Sequence, residues 1–287
     1  MDATTATAQA GARLRHRAGL EVLTWPALDA HPLDALVTTR GGGVSAGPYT
    51  SLNLGLHVGD TAAAVLENRS RAAAALGARP EDVVWAAQPH CTGAQIVTAA
   101  DRGRGAGRLE DAVPGVDVLV TADPGTVLAI IVADCVPIVL YDPVAHVLAC
   151  VHAGWRGTLA RVTDAALTAM RSLGTQPADV LAGVGPAIAA DRYQVGPEVA
   201  EAARACFSGD TAGILRPDGP ARWLLDLPAA NRRILAEAGV PLAGIHLTTE
   251  RTGSGPDGMA GLFFSYRDQH PSGRFAALAR LRPRSAG

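Results

Sequence analysis

The sequence predicts a single domain of mixed α and β structure, and three observations support this. Short runs rich in valine and isoleucine alternate with segments whose apolar residues recur at helical spacing. The 287 residues are 48% hydrophobic and 18% charged, which is the composition of a globular chain with a sizeable core. No shift in composition marks a domain boundary, so we expect one domain over residues 21–287.

The N-terminal part of the chain predicts a tail followed by strands and one helix. Residues 1–20 are rich in alanine, threonine and arginine and lack the apolar region of a signal peptide, so we expect a disordered tail. Strands are predicted at 20–24, 35–39 and 82–86. A helix is predicted from the N-cap residue Thr61 to about Leu76, where Gly77 ends it.

The densest apolar region, residues 126–152, predicts three buried strands. The runs 127–132, 136–141 and 146–151 are almost continuously apolar, which is typical of strands covered on both faces. Asp142 and Pro143 supply a turn between the second and third strands. A helix is expected from about Gly157 to Leu173, with Gly174 ending it.

The C-terminal part predicts two more helices and short strands. The segments 180–184 and 245–248 are predicted as strands, and 197–206 and 228–238 as helices. Residues 252–261 form a glycine-rich loop before the apolar segment 262–264.

Charge, lysine and cysteine content exclude several classes of protein. A net charge of −2 argues against a protein that coats nucleic acid, and no apolar run approaches the roughly 20 residues that span a bilayer. All 25 basic residues are arginine, so mechanisms that require a lysine Schiff base or a P-loop lysine are excluded. Four cysteines without a C-x-x-C pair favour a reducing, cytoplasmic location.

Three segments, 88–91, 133–135 and 151–157, combine residues that carry chemistry. Asp134 follows a buried strand and needs a partner or a cleft, because an unpaired buried carboxylate is costly. The neighbouring Cys135 either faces that cleft or packs as a small apolar side chain. His152 ends a strand and either joins a site or bonds to the backbone. Because neighbours on an extended strand point to opposite faces, we expect His90 rather than Cys91 to face a shared site.

Two arginines are candidates for anion binding. Arg156 lies at the predicted start of a helix, where free N–H groups favour anions. Arg40 precedes the consecutive glycines 41–43, whose backbone can cradle an anion, and Asn53 could bring an amide to the same place. For Arg156 the alternative is an ordinary surface arginine, and the Arg40 loop lacks the Gly-Lys-Ser/Thr ending of a P-loop.

These motifs, in this order, resemble the YfiH-type family, also called the multicopper polyphenol oxidase or laccase-domain family, which includes the peptidoglycan editing factor. The resemblance runs from about residue 35 to residue 281. It rests on the segments 39–45, 51–55, 88–90, 133–137, 152–157, 185–188, 263–267 and 273–274. It implies an α+β fold, a single-domain four-layer α/β/β/α sandwich with mixed sheets.

The resemblance also implies a metal site formed by His90, Cys135 and His152. Two histidines and one cysteine suit zinc and also accept copper, and three protein ligands leave a fourth coordination position open. Asn53, Asp134 and Tyr266 are expected near this site, and Asp134 is a candidate to orient a ligating histidine. Arg40 and Arg156 are the candidates for phosphate.

The chain departs from the family pattern in three places. Pro89 and Cys91 flank His90 where the family usually has valine and glycine, and residues 190–192 hold no cysteine where the family often has one. Thr248 stands where a cysteine is common. These departures argue against mechanisms that use additional cysteines or several coppers.

The function implied by the resemblance is a metal-dependent purine nucleoside enzyme. It would phosphorolyse adenosine, inosine and methylthioadenosine and deaminate adenosine. One alternative is a hydrolase that edits peptidoglycan precursors with Cys135 as nucleophile and His90 or His152 as base. Another is a copper-dependent polyphenol oxidase, which is disfavoured because the chain has no His-x-His pair. A purely structural metal site would require a fourth protein ligand, for which Cys91 is the nearby candidate.

The expected partners are small molecules, a nucleoside and phosphate, with no nucleic acid and no membrane. The expected oligomeric state is a monomer or a weak homodimer.

Overall fold

The structure is a computed structural model that describes residues 11–254 and 261–284. Its helices are α1 (Pro26–Asp29), α2 (Ala62–Ala74), α3 (Trp155–Leu159), α4 (Val162–Arg171), α5 (Pro197–Cys206) and α6 (Leu227–Glu237). The strands before α3 are β1 (Arg13–Arg17), β2 (Leu20–Thr24), β3 (Leu33–Thr38), β4 (Val83–Trp85), β5 (Ala94–Ile96), β6 (Val118–Thr121), β7 (Val127–Val132), β8 (Val136–Asp142) and β9 (Val147–Ala153). After it come β10 (Leu181–Val184), β11 (Gln194–Val195), β12 (Leu215–Pro217), β13 (Trp223–Leu225), β14 (Ile245–Leu247) and β15 (Phe275–Leu281).

The strands form two six-stranded mixed sheets and one small sheet. The first large sheet has the order β1-β2-β3-β15-β7-β4, and the second has the order β14-β10-β8-β9-β6-β5. Each contains antiparallel pairs together with at least one parallel pair, β4 with β7 in the first and β5 with β6 in the second. The small antiparallel sheet β11-β13-β12 was not predicted, because its strands are only two or three residues long.

The two large sheets pack face to face, and helices cover their outer faces. The core between the sheets joins Leu128 and Ile130 of β7 to Leu148 and Cys150 of β9. A second core lies between the first sheet and α2, and a third lies between the second sheet and α4 and α6. The predicted α+β fold with four α/β/β/α layers and mixed sheets is therefore confirmed.

Two local predictions need correction. Residues 13–17 of the expected disordered tail form β1, which pairs with β2 in an antiparallel hairpin, whereas residues 1–10 lie outside the described part. The helix predicted from Gly157 to Leu173 is two helices, α3 and α4. They are separated because Arg161 adopts a left-handed conformation with φ of 62°.

The segment 262–264 and the helix lengths agree with the sequence. The apolar segment 262–264 is buried at Phe263 and Phe264 but forms no strand. No helix in the described part of the chain is long and apolar enough to cross a bilayer.

Candidate metal centre

Three side chains from distant segments meet where the two large sheets are joined. Cys135 lies in the short connection 133–135, through which the chain passes from β7 of the first sheet to β8 of the second. His152 lies in β9 on the same face as Leu148 and Cys150, so its ring points between the sheets. His90 lies in the loop between β4 and β5. Their ligand atoms all lie within 4.8 Å of one another. We call this group the cluster.

Asp117 holds two members of the cluster in place. Its Oδ1 accepts a hydrogen bond from Nδ1 of His152 at 2.6 Å, so Nε2 is the ring atom left to face the cluster. The same carboxylate accepts the backbone N–H groups of His90, at 3.2 Å, and Cys91, at 2.7 Å. Asp117 is fully buried and directly precedes β6, the neighbour of β9. A carboxylate hydrogen-bonded to a ligating histidine is a common feature of metal sites in proteins.

The electrostatics of the cluster favour a thiolate beside a protonated imidazole. Burial would raise the pKa of Cys135, but the charge of His152 and hydrogen bonds from His152 and His90 lower it to about 6. Burial would lower the pKa of His152, but the Cys135 thiolate and Asp117 raise it to about 9. Burial opposes ionisation of Asp117 too, yet the hydrogen bonds from His152 and Cys91 hold its pKa below the usual value. A thiolate is the form of cysteine that binds metals.

Gly154 explains how the backbone can approach the cluster so closely. A Cβ added at this glycine would lie 2.9 Å from Sγ of Cys135 and 3.2 Å from Cδ2 of His90. Position 154 therefore requires the absence of a side chain, which accounts for the glycine between His152 and α3.

Cys91 does not join the cluster, although the sequence leaves it as a candidate fourth ligand. Its thiol contacts the carbonyl of Gly115 at 3.3 Å and the N–H of Gly93 at 3.2 Å. Within residues 11–254 and 261–284, the cluster is the one group of histidine, cysteine and acidic side chains with metal-binding geometry, and it has three members. The donor set therefore fits a four-coordinate zinc or copper ion with one position left for a ligand.

The cluster opens into a cavity of about 490 Å³, which is within the usual range for small-molecule sites. The apolar part of its wall includes Trp85, Leu109, Ile131 and Val132. Tyr266, which the sequence analysis expected near the site, also lines it and is 54% exposed.

The structure does not bring Arg40 or Arg156 to the wall of this cavity. Nε of Arg40 donates to the carbonyl of Thr50 at 3.0 Å, and its guanidinium lies 4.7 Å from the ring centre of Phe264. Arg40 lines a separate cavity instead. The guanidinium of Arg156 stacks on its neighbour Trp155 at 4.2 Å. The predicted phosphate role is therefore not supported by the position of either arginine.

Asn53 and Asp134 stabilise loops by accepting hydrogen bonds. Asn53 is fully buried, and its Oδ1 accepts the backbone N–H of Gly55 at 3.0 Å and that of Arg274 at 2.9 Å. Asp134 accepts hydrogen bonds from the Thr252 hydroxyl and from the backbone N–H of Arg267. The expected role of orienting a histidine therefore belongs to Asp117 and not to Asp134.

Four residues of the site were not predicted from the sequence. Besides Asp117 they are the cavity-lining residues His57, Arg69 and Arg274. His57 has no other candidate ligand at metal-site spacing in the sequence, and Arg69 lies in an ordinary helical pattern within α2. Gly273-Arg274 did carry part of the family resemblance, and this was the available signal for Arg274.

Comparisons with known proteins agree with the resemblance. The family model described as "Multi-copper polyphenol oxidoreductase laccase" matches residues 34–282. A protein named purine nucleoside phosphorylase from Deinococcus radiodurans is 42% identical over 251 residues, which are 87% of this chain and 89% of that protein. A protein named adenosine deaminase RL5, from an unknown prokaryotic organism, is 38% identical over 213 residues, 74% of this chain and 81% of that protein.

The fold also matches a solved structure. The crystal structure of YlmD from Geobacillus stearothermophilus superposes with a TM-score of 0.87 at 37% identity, covering 94% of this chain and 99% of that one.

Proposed function

Since this chain belongs to the multicopper polyphenol oxidoreductase laccase family, several of whose named members process purine nucleosides, we propose that it is a metal-dependent purine nucleoside enzyme. It phosphorolyses adenosine, inosine and methylthioadenosine and deaminates adenosine. Its substrates are small molecules, and it works in the cytoplasm, where its four cysteines stay reduced.

The observation that carries this proposal is the cluster at the cavity. His90, Cys135 and His152 offer three ligand atoms within 4.8 Å of one another, and the cavity is of a size to hold a nucleoside. These residues would hold zinc, or alternatively copper. Such an ion, when bound, supplies Lewis-acid activation of the substrate or of water.

The chain's own residues prepare this site. Asp117 fixes the ring of His152 and the backbone of the loop that carries His90, so little reorganisation is needed when a ligand enters. The apolar wall formed by Trp85, Ile131 and Val132 offers a surface for the flat purine and limits the access of water.

Both reactions balance without a further cofactor or redox partner. In phosphorolysis a phosphate oxygen forms a bond to C1′ of the ribose while the C1′–N9 bond breaks. The base leaves with that bonding pair and gains a proton from the attacking hydrogen phosphate or from a nearby acid. In deamination water adds to C6 of adenosine, ammonia leaves, and inosine forms.

A second function, a thiol hydrolase acting on peptidoglycan precursors, is favoured by one specific observation. Cys135, His152 and Asp117 form a chain of thiolate, imidazole and carboxylate, as in cysteine hydrolases. In that case Cys135 would be the nucleophile and could not ligate an ion in the same step.

The polyphenol oxidase alternative lacks comparable support. The described residues offer one three-membered ligand cluster, whereas oxidation by several coppers needs additional histidine ligands.

The test is substrate profiling on protein with a measured metal content. Inosine with phosphate, adenosine alone and a serine-bearing muropeptide precursor are compared before and after chelation. We expect the nucleosides to be converted, chelation to abolish this conversion, and added zinc or copper to restore it. Hydrolysis of the precursor that survives chelation, without turnover of nucleosides, would replace this proposal with the thiol hydrolase.

A further inference from the structure

Arg69, which is buried, and Arg274, which is half-buried, give one side of the cavity a positive charge, and His57 lines the same cavity. Arg69, Arg274 and His57 all line the cavity that contains the cluster, and we call them the cationic wall. Burial lowers the pKa of His57, and the charges of Arg274, Arg69 and His90 lower it further. The three side chains therefore lie within electrostatic range of one another and of the cluster.

Arg69 is held rigidly by neutral groups. It is 4% exposed, its Nε donates to the carbonyl of Leu54 at 2.9 Å, and Nη1 donates to the carbonyls of Gly105, at 2.5 Å, and Ala106, at 3.1 Å. The guanidinium lies 3.9 Å from the ring centre of Trp85. Burial lowers its pKa to about 9. Among the described residues, Nη2 of Arg69 has no acceptor, so this amino group is free to donate to a ligand.

Arg274 has a similar arrangement. Nη1 donates to the carbonyls of Ser272, at 2.9 Å, and Gly273, at 3.0 Å. The guanidinium lies 5.3 Å from the ring centre of Tyr266. Within the described ranges neither Nε nor Nη2 has an acceptor. The backbone N–H of Arg274 donates to Oδ1 of the buried Asn53, and this hydrogen bond fixes the backbone from which the arginine side chain extends.

The cationic wall carries charge without a matching carboxylate. No acidic side chain in residues 11–254 or 261–284 forms an ion pair with Arg69 or Arg274, although 15 of the 16 ion pairs found there belong to eleven other arginines. Removing a charge from water costs several kcal/mol unless an opposite charge compensates it. Two guanidiniums that form no ion pair and line the same cavity would therefore be stabilised by an anion bound from solution.

We propose that Arg69, Arg274 and His57 form the subsite for a phosphate dianion in the same cavity as the cluster. Free guanidinium edges match the oxygens of a phosphate, to which arginine donates paired hydrogen bonds. This inference rests on the proposed function, in which phosphate attacks C1′ of the ribose. The same chemistry would also hold the phosphate of a purine nucleotide, and the test separates the two sources.

The test uses Arg274→Gln, with Arg204→Gln as a matched control. Arg204 also lies over an aromatic ring, at 5.1 Å from the centre of Trp223, but does not line the cavity. Steady-state phosphorolysis of inosine gives the KM for phosphate and the KM for inosine. Calorimetric titration of the metal-loaded protein with inorganic phosphate, and separately with adenosine monophosphate, measures binding without turnover.

We expect Arg274→Gln to raise the KM for phosphate about tenfold or more and to leave the KM for inosine within about twofold. Arg204→Gln should change neither. In the titrations inorganic phosphate should bind the unmodified protein and bind Arg274→Gln at least about tenfold more weakly. Tighter binding of adenosine monophosphate, with the same sensitivity to Arg274→Gln and no effect of free phosphate, would overturn the assignment to free phosphate.

The failures of the subsite and of the proposed function are distinguishable. Phosphorolysis with an unchanged KM for phosphate in Arg274→Gln would overturn the subsite and leave the function standing. Binding of phosphate that depends on Arg274, in a protein that converts no nucleoside, would overturn the function and leave the subsite standing. Because Arg69→Gln could fail to fold, His57→Gln is the second variant, and it should raise the KM for phosphate in the same direction.

Discussion

The two sides of the cavity are built in different ways. The cluster lies at strand ends and connections: His152 in β9, Cys135 between β7 and β8, and His90 in the loop between β4 and β5. Asp117, which supports it, directly precedes β6. The cationic wall is built from a helix, α2, and from loop segments around His57 and Arg274. On the first side each charged group has a partner within the chain, whereas on the second side the guanidinium charges do not.

This difference shows what each side is prepared to receive. On the first side, Asp117 fixes the ring of His152 and the backbone of His90, so that one thiolate and two imidazoles form a preorganised site for a cation. Two guanidiniums fixed by carbonyl oxygens and stacked on aromatic rings form a preorganised site for an anion. The predictions below test whether the two sides work separately, as the proposals require.

The largest effect is expected from Cys135→Ala. Loss of the thiolate removes the one anionic member of the cluster, so bound metal should fall to background and nucleoside turnover by about a thousandfold or more. Metal analysis and initial rates measure this. Cys91→Ala is the matched control, because that thiol lies outside the cluster and hydrogen-bonds to the backbone of Gly115 and Gly93, and it should retain metal and activity.

A pH effect is expected in the metal-free protein. The lowered pKa of Cys135, about 6, keeps the thiolate populated down to that pH, because His152 stabilises the charged form. Alkylation by iodoacetamide, followed by mass spectrometry of the labelled peptide, should therefore be nearly constant from pH 7 to pH 9 and decline as the pH falls through about 6. A midpoint near the ordinary value for cysteine would show that the thiolate is not stabilised.

A smaller effect is expected from Asp117→Asn. The amide oxygen can still accept a hydrogen bond from Nδ1 of His152. It carries no negative charge, however, so it stabilises a positive charge on His152 and the two backbone N–H groups less well than the carboxylate does. Metal affinity or activity should fall about 10- to 100-fold. Asp134→Asn is the comparison, since Asp134 binds Thr252 and Arg267 and should leave metal affinity unchanged.

The smallest effect is expected from Asn53→Ala, which reaches the cationic wall indirectly. The substitution leaves the buried N–H groups of Gly55 and Arg274 without their acceptor and should destabilise the protein by about 1–3 kcal/mol. Because Arg274 loses its anchor, the KM for phosphate should rise a few-fold while the metal content stays constant. Thermal unfolding and kinetics on the same preparation separate these two effects.

The sequence predicted the strands and the cluster better than it predicted the cationic wall. Buried strands such as β7, β8 and β9 were found because their continuous apolar runs are a local signal. The cluster was found through residues at the ends of these strands and through the family resemblance. Asp117 was missed because it lies far from His152 in the sequence. Only the pairing of β6 with β9 places the two residues side by side.

The residues of the cationic wall could not be predicted from local sequence patterns, for a different reason. The sequence predicted Arg40, beside three glycines, and Arg156 as the phosphate residues, whereas Arg69 is one basic residue within a helical pattern. Only the packing of α2 against Trp85 reveals that Arg69 is buried without an acidic partner. The break between α3 and α4 was likewise missed, because the helical spacing continues through Arg161.

The central claim is that His90, Cys135 and His152 hold one metal ion beside the cationic wall. Anomalous diffraction from crystals of the zinc-loaded protein tests it most directly. We predict one peak at about 2.3 Å from Sγ of Cys135 and about 2.0–2.1 Å from a ring nitrogen of each histidine. A fully loaded protein with its peaks elsewhere and none at the cluster would contradict the account.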